Sequence, residues 1–267
     1  HFFRQPTLKS SRNIIPTQAP EPQPLPRTYW NSIVTQTDEY NISIIGDAAQ
    51  AHGASIGKDK VGTLADIECF SFYPTKNMTT GEGGMVTTND EELFRKMNSI
   101  RNHGRPNSQL GVYEHDRFGL NLRLTDIGSA IGRVQLRKLE EFNSIRMRNA
   151  AILTDEIEDS RGILCPRVPN DFTHAWHQYT IRVKSDASGS KGSRDLLSSF
   201  LRENGIGTGA YYPRLIQDYP HLKQFKSDCP VAQKVVSEVL SLPVHAGVSS
   251  EEAHEIGELV RNWANQE

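Results

Sequence analysis

Cysteine is scarce in this sequence: Cys69, Cys165 and Cys229 are the three among 267 residues. They are scattered and odd in number, which excludes a disulfide framework, and their spacing matches no metal-ligand pattern. Buried core thiols in a reducing cytoplasm are the expectation. Also absent is any apolar run near the roughly 18 residues that a spanning helix needs, so no membrane is expected as a partner. Neither sign of charge dominates. Thirty Lys and Arg against 32 Asp and Glu leave a formal net charge of −2, which gives no reason to expect nucleic acid or anionic lipid as a partner. What is present is 36% hydrophobic and 23% charged residues, enough for a real core in one moderately large or two small domains.

Residues 42–84 carry the chemistry. Ile42-Ser43-Ile44-Ile45 is a short β-branched run that ends at Gly46-Asp47; it reads as a buried strand delivering Asp47 at its carboxyl end, where open α/β sheets bind ligands. Ile67 to Tyr73 reads as a second strand delivering Ser71, with Pro74 stopping it and Lys76 on the turn that follows. Gly81, Gly83 and Gly84 then allow a tight return into a third strand, Met85 to Thr88. An aspartate at one strand end and a lysine beyond the next can face each other across a small aromatic ligand, which suits pyridoxal 5′-phosphate. The amine would condense with its aldehyde, the carboxylate would pair with its ring nitrogen, and Ser71 could donate to its phosphate.

The wording of these stretches is itself informative: Asp47-Ala48-Ala49-Gln50-Ala51-His52-Gly53-Ala54, Phe70-Ser71-Phe72-Tyr73-Pro74-Thr75-Lys76-Asn77 and Thr80-Gly81-Glu82-Gly83-Gly84. Together they closely resemble the DegT/DnrJ/StrS family of pyridoxal-phosphate-dependent sugar aminotransferases. The resemblance implies fold type I, the aspartate aminotransferase-like α/β fold. It also implies roles: Asp47 on the pyridine nitrogen, Gln50 on the ring hydroxyl, Ser71 on the phosphate and Lys76 as the Schiff-base residue. Relatives that act as sugar dehydratases have histidine where this chain keeps Lys76, so aminotransferase is the better reading. Phe118 to Asp126 resembles a family segment whose asparagine reaches the phosphate in the neighbouring subunit. That role falls to Asn121 and implies a homodimer with composite sites.

The remaining elements follow from periodicity and capping. Asn89 to Glu92 starts a helix that ends near Arg101-Asn102-His103-Gly104, with Gly104 as its cap. Ile127 to about Ile157 is a long helix with Ile131, Val134, Leu136, Leu139, Phe142 and Ile145 as its apolar stripe; the resemblance makes it the connector between a large and a small domain. Strands are expected at His174–Val183 and Thr208–Tyr212, and helices at Ser193–Glu203, Val231–Leu240 and Ser249–Asn262. His177 and Tyr212 are candidates for the substrate side, with core packing the stronger expectation for both; a structural role is the stronger expectation for His103.

The chain opens on His1, and His1 to Pro6 resembles a family segment that lies well inside the large domain. A proline-rich stretch follows, Ile14 to Pro26, and residues 1–28 are expected to be loosely packed, with a short helix from Tyr29 to Tyr40. The expected organisation is an aberrant N-terminal remnant (1–40), the remainder of a cofactor-binding large α/β domain (41–143) and a smaller α+β domain (144–267). The expected activity is transfer of an amino group from glutamate or glutamine to a nucleotide-linked keto sugar, in the biosynthesis of surface polysaccharide or of secondary metabolites. Two alternatives stay open: an inactive truncated relative that binds sugar nucleotide or pairs with an intact paralogue, and an enzyme using the same cofactor to another outcome.

Overall fold

A computed structural model of the chain describes residues 27–106, 114–184, 194–225 and 227–265. The His1–Pro6 match and the proline-rich stretch lie outside them, while Arg27 and Thr28 already open the first helix, α1 (Arg27–Glu39). The first apolar run forms its strand later than its composition suggests, as β1 (Ile45–Asp47). Ile45 is 69% exposed and Ile42 is exposed too, so the strand is not buried. It is an edge strand of its sheet. Two short strands follow, β2 (Ser55–Ile56) and β3 (Asp59–Lys60), then β4 (Ile67–Ser71) and β5 (Gly84–Thr87). The sheet order is β1-β4-β5, with β1 parallel to β4 and β4 antiparallel to β5. Asp47 pairs with Cys69, so Asp47 and the Ser71 end of β4 reach the same edge of the sheet. Buried Glu68 pins the loop before β4, its Oε2 accepting the Gly62 and Leu64 N–H groups at 2.7 and 2.8 Å.

Helix α2 (Glu91–Ile100) starts where Asp90 accepts the Glu92 and Leu93 N–H groups. Its end turns at His103, which has φ of 63°, one residue before the expected cap. Gly104 is required for another reason: a Cβ there would sit 1.8 Å from the Arg117 carbonyl oxygen. The close approach lets residues 118–122 run back along the end of α2, with Asn102 bridged to Asn121. Met85, Val86, Phe94, Ile100 and Leu122 line a groove of about 830 Å³ on this side.

Helix α3 (Asp126–Ile157) reverses the expected burial over its first half. Ile127, Ile131, Val134 and Leu136 are exposed, whereas Asn143, Arg146 and Asn149 are buried, followed by Ala150, Leu153 and Ile157. Beyond it come β6 (Ile163–Leu164), β7 (Phe172–Thr173) and β8 (Tyr179–Val183). β7 joins β2 in a second sheet ordered β3-β2-β7. The strand expected from His174 begins only at Tyr179, because Trp176 has φ of 45° and breaks the extended run. Helix α4 (Arg194–Glu203), two short 3-10 turns (Ile216–Asp218 and Pro220–Phe225), α5 (Pro230–Glu238), β9 (Val239–Leu242) and α6 (Ser250–Ala264) complete the chain. The helix expected through Leu240 stops at Glu238 because Val239 to Leu242 pair with β8, Leu242 opposite Tyr179. The strand expected at 208–212 reduces to one bridge, Gly209 to Ser241, since the Tyr211 ring folds back onto Gly209.

The core lies in this C-terminal part. Along β8, Tyr179, Ile181 and Val183 point inward at the strand period of two. They meet Leu153 and Ile157 of α3, Leu197 and Leu201 of α4, Leu240 of β9 and Val260 of α6. Of the cysteines, Cys69 and Cys165 are half-buried and Cys229 is exposed; Cys229 is the residue before α5, outside the core, and makes no side-chain capping bond there. No helix among the described residues is long and apolar enough to cross a membrane. Leu153 has no exposed surface, and Leu153→Ala is expected to lower unfolding free energy by about 2–5 kcal/mol. Urea denaturation measures it; a loss within 0.5 kcal/mol, the usual ceiling for surface substitutions, would place the core elsewhere.

Candidate active site

The lysine turn is built from backbone bonds on both sides. Phe72 N–H donates to Gly83, Thr80 N–H returns to Phe72, and Lys76 N–H closes on Tyr73, at 2.9, 3.1 and 3.0 Å. The return through Gly83 and Gly84 is tight: Gly83 has φ of +152°, and a Cβ on Gly84 would lie 2.8 Å from the Phe70 carbonyl oxygen. Lys76 is half-buried, and the next residue, Asn77, is buried.

Asn77 locks the turn to the rest of the protein. Its Nδ2 donates to Asn143 Oδ1 at 2.8 Å and to the Ala175 carbonyl at 2.7 Å. Asn143 Nδ2 donates in turn to the His52 carbonyl at 2.8 Å, and His177 Nδ1 lies 3.3 Å from Asn77 Oδ1. Behind this network the buried His52 ring packs against Phe70 and Phe72, at centroid distances of 5.3 and 5.9 Å. Burial holds the His52 imidazole below its ordinary pKa, the Ser71 backbone opposes that more weakly, and Lys76 adds to it.

Lys76 stands on the wall of a cavity of about 700 Å³. Gln50, Tyr73 and Thr75 come from the same lobe, Arg146 from α3, and His177, Thr208, Tyr211, Tyr212 and residues 241–245 from the C-terminal part. Among the described residues that line it, none is Asp or Glu. Of the residues singled out in the sequence, Lys76 and Gln50 therefore both line this cavity. Asp47 and Ser71 reach the same sheet edge without lining it. Asp47 is exposed and accepts the Ala49 N–H at 3.1 Å, and Ser71 Oγ accepts the Tyr73 N–H at 3.3 Å. Asn121 is exposed beside the end of α2, away from the cavity. His177 and Tyr212 both face the cavity, and Tyr212, 68% exposed, is not a core residue. His103 does not line it; its N–H goes to Leu120.

Sequence reasoning missed Arg146, Asn77 and Asn143. The three-residue spacing of Asn143, Arg146 and Asn149 on α3 is the signal that could have found two of them. Among the described residues no group of three or more His, Cys, Asp or Glu side chains is placed to hold a metal ion.

The model of the DegT/DnrJ/EryC1/StrS aminotransferase family matches residues 30–261. The UDP-N-acetyl-3-dehydro-alpha-D-glucosamine 3-aminotransferase of Acidithiobacillus ferrooxidans is 34% identical over 86% of this chain and 59% of its own length. The dTDP-3-amino-3,4,6-trideoxy-alpha-D-glucose transaminase of Streptomyces venezuelae is 32% identical over 86% of the chain and 58% of its own. The crystal structure of S. venezuelae DesV in complex with a ketimine intermediate superposes with a TM-score of 0.80 at 31% identity, covering 89% of this chain and 62% of that one. The chain thus spans about three-fifths of the length of these relatives.

Asn143→Ala would leave the His52 carbonyl and one side of Asn77 unpartnered, and about 1–3 kcal/mol of stability is expected to go with them; chemical denaturation measures it. His177 is pushed down to about 4 by burial, with Lys76, Arg146 and His52 adding repulsion. An unfolded imidazole titrates near ~6.5. Between those values the unfolded chain takes up a proton that native His177 refuses, so this contribution is complete above the unfolded pKa and is lost as pH falls toward about 4. His177→Gln is expected to flatten the acid limb of a plot of stability against pH, and an unaltered limb would assign it to other groups.

Proposed function

Since the chain belongs to the DegT/DnrJ/EryC1/StrS aminotransferase family, we propose that it transfers the amino group of glutamate or glutamine to a keto sugar carried on a nucleotide, as a cytoplasmic enzyme. The aminotransferases of this family depend on pyridoxal phosphate. The observation that carries the proposal is the lysine predicted from sequence, half-buried on the wall of a cavity that opens between the two parts of the chain. The relatives' names supply the substrate class: one acts on a UDP-linked and another on a dTDP-linked sugar.

The residues present fit the cofactor in kind. Lys76 supplies an amine in a cavity lined by no Asp or Glu among the described residues, Gln50 lines the same cavity, and Asp47 and Ser71 arrive at the same sheet edge through the parallel register of β1 and β4. Lys76, Asp47, Gln50 and Ser71 would hold it, and Asn121 would serve the phosphate of a neighbouring protomer. When bound, the cofactor supplies an aldehyde for condensation with amines and a ring that accepts electrons. Lys76 Nζ would then move the proton at the donor's α-carbon. Asp47 would carry the negative charge that balances a protonated ring nitrogen. The dimer implied by Asn121 is supported by its exposed apolar neighbours Phe118, Leu120 and Leu122, which a second protomer would cover.

Adding pyridoxal phosphate to the purified chain is expected to give a visible absorbance band that borohydride fixes onto the Lys76 peptide. Lys76→Ala is expected to lose the band and to lower amino transfer by roughly 10²–10⁴-fold. A chain that traps no cofactor would be the inactive, ligand-binding relative, and equal trapping in the variant would refute the assignment of Lys76.

A further inference from the structure

Arg146 brings a positive charge to a place where little balances it. It lies on α3 between Asn143 and Asn149, on the inward stripe, with 7% of its surface exposed. Its Nη1 donates to the Trp176 and His177 carbonyl oxygens at 3.0 and 3.3 Å, and its Nε has no hydrogen-bond partner. Among the described residues no carboxylate pairs with it. Two carbonyl dipoles solvate part of a guanidinium without neutralising it, and a buried charge left unpaired is strongly disfavoured. Burial accordingly pushes the Arg146 guanidinium below its ordinary pKa. The same residue lines the cavity together with Lys76 and His177, and among the described residues that line it none is Asp or Glu. The missing counter-charge would arrive with a ligand.

We propose that Arg146 is the carboxylate receptor of this site, its guanidinium taking the acid group of the amino donor next to Lys76. The assignment rests on the aminotransferase reading above and says which group on this chain recognises the donor. A carboxylate matches the planar fork of a guanidinium through two parallel N–H···O bonds. The α-carboxylate of an amino acid is bonded to the carbon whose proton Lys76 would move, so its anchor must line the same cavity as the lysine, and Arg146 does. The other anion of the reaction, the diphosphate of a nucleotide sugar, sits several bonds from the keto carbon and has no need of a contact beside the lysine.

Calorimetric titration of the purified chain with glutarate reads this subsite without cofactor or turnover, because glutarate has two carboxylates but neither an amine nor a keto group. Glutarate is expected to bind at least about tenfold more tightly than its neutral diamide, glutaramide, and than pyrophosphate, to lose roughly 10–100-fold in Arg146→Met, and to lose less in Arg146→Lys. Equal binding of glutarate and glutaramide, or unchanged glutarate binding in Arg146→Met, overturns the proposal. Pyrophosphate preferred over glutarate in an Arg146-dependent manner assigns the guanidinium to the diphosphate and overturns it as well. Should circular dichroism show Arg146→Met unfolded, Arg146→Lys decides, since the flexible ammonium cannot reproduce the fork: no weakening of glutarate relative to wild type sinks the proposal. Borohydride trapping on Lys76 in the same preparations separates the two readings. Lost trapping with glutarate selectivity intact counts against the function, and the reverse counts against Arg146.

Discussion

Asn77 and Asn143 meet at 2.8 Å inside the protein, and through that bond the lysine turn is tied to the long helix. Each amide then reaches one more backbone carbonyl, Asn77 to Ala175 and Asn143 to His52. Four stretches of chain that are far apart in sequence are thereby joined around Lys76: the loop after β1, the turn after β4, α3, and the approach to β8. Buried amides hold such a junction only if their donors and acceptors are matched, because an unmatched one is disfavoured in the low-dielectric interior. This cluster is matched, with His177 as its outermost member. The turn that carries Lys76 is in this way fixed from behind, while the amine itself faces the cavity.

The cavity's charge follows from what the network excludes. Lys76 and Arg146 are its positive side chains, and His177 between them is kept neutral down to about pH 4 by burial and by both of them. A third cation at that point would be repelled, so the imidazole serves as a hydrogen-bonding group at neutral pH. Acidic residues are kept outside: Asp47 ends its strand in solvent, and Glu68 is buried under backbone N–H groups on the other side of the sheet strand. A cavity of this sign attracts anions, and both substrates proposed for this chain are anionic.

Those parts of the protein governed by local chemistry were legible in the sequence. The cap at Asp90, the helix from Ser250 with Ser249 and Glu252 closing a capping box, and the turn carrying Lys76 depend on nearest neighbours, and all three are where their residues place them. What depends on distant partners was not. Ile45 is apolar yet exposed, and Val239 leaves its helix because a ladder with β8 captures it. Trp176 interrupts a plausible strand with a positive φ that no propensity requires. Arg146 and Asn143 are polar residues on an amphipathic helix, which composition alone assigns to water; only the carbonyls that converge on them from residues 52 and 175–177 explain their burial.

Helix α3 combines these constraints into one. Its inward residues Asn143, Arg146 and Asn149 stand three apart, about 4.5 Å along the axis at each step, and wind slowly around one side. Each step hands its side chain to a different segment: Asn143 to the lysine turn, Arg146 to Trp176 and His177, and Asn149 to the Val248 carbonyl at 2.9 Å. Residues 241–245, which form the far wall of the cavity, therefore hang from the same rod as the turn that forms the near wall. From Ala150 onward the stripe becomes apolar and enters the core shared by β8, β9 and α6. The separation of Lys76 from residues 241–245 is thus set by the rise of a single helix whose C-terminal end is held by tight packing and whose middle is held by paired amides. An α-helix strains little along its axis, so the spacing between near and far wall is a property of the folded chain before any ligand enters.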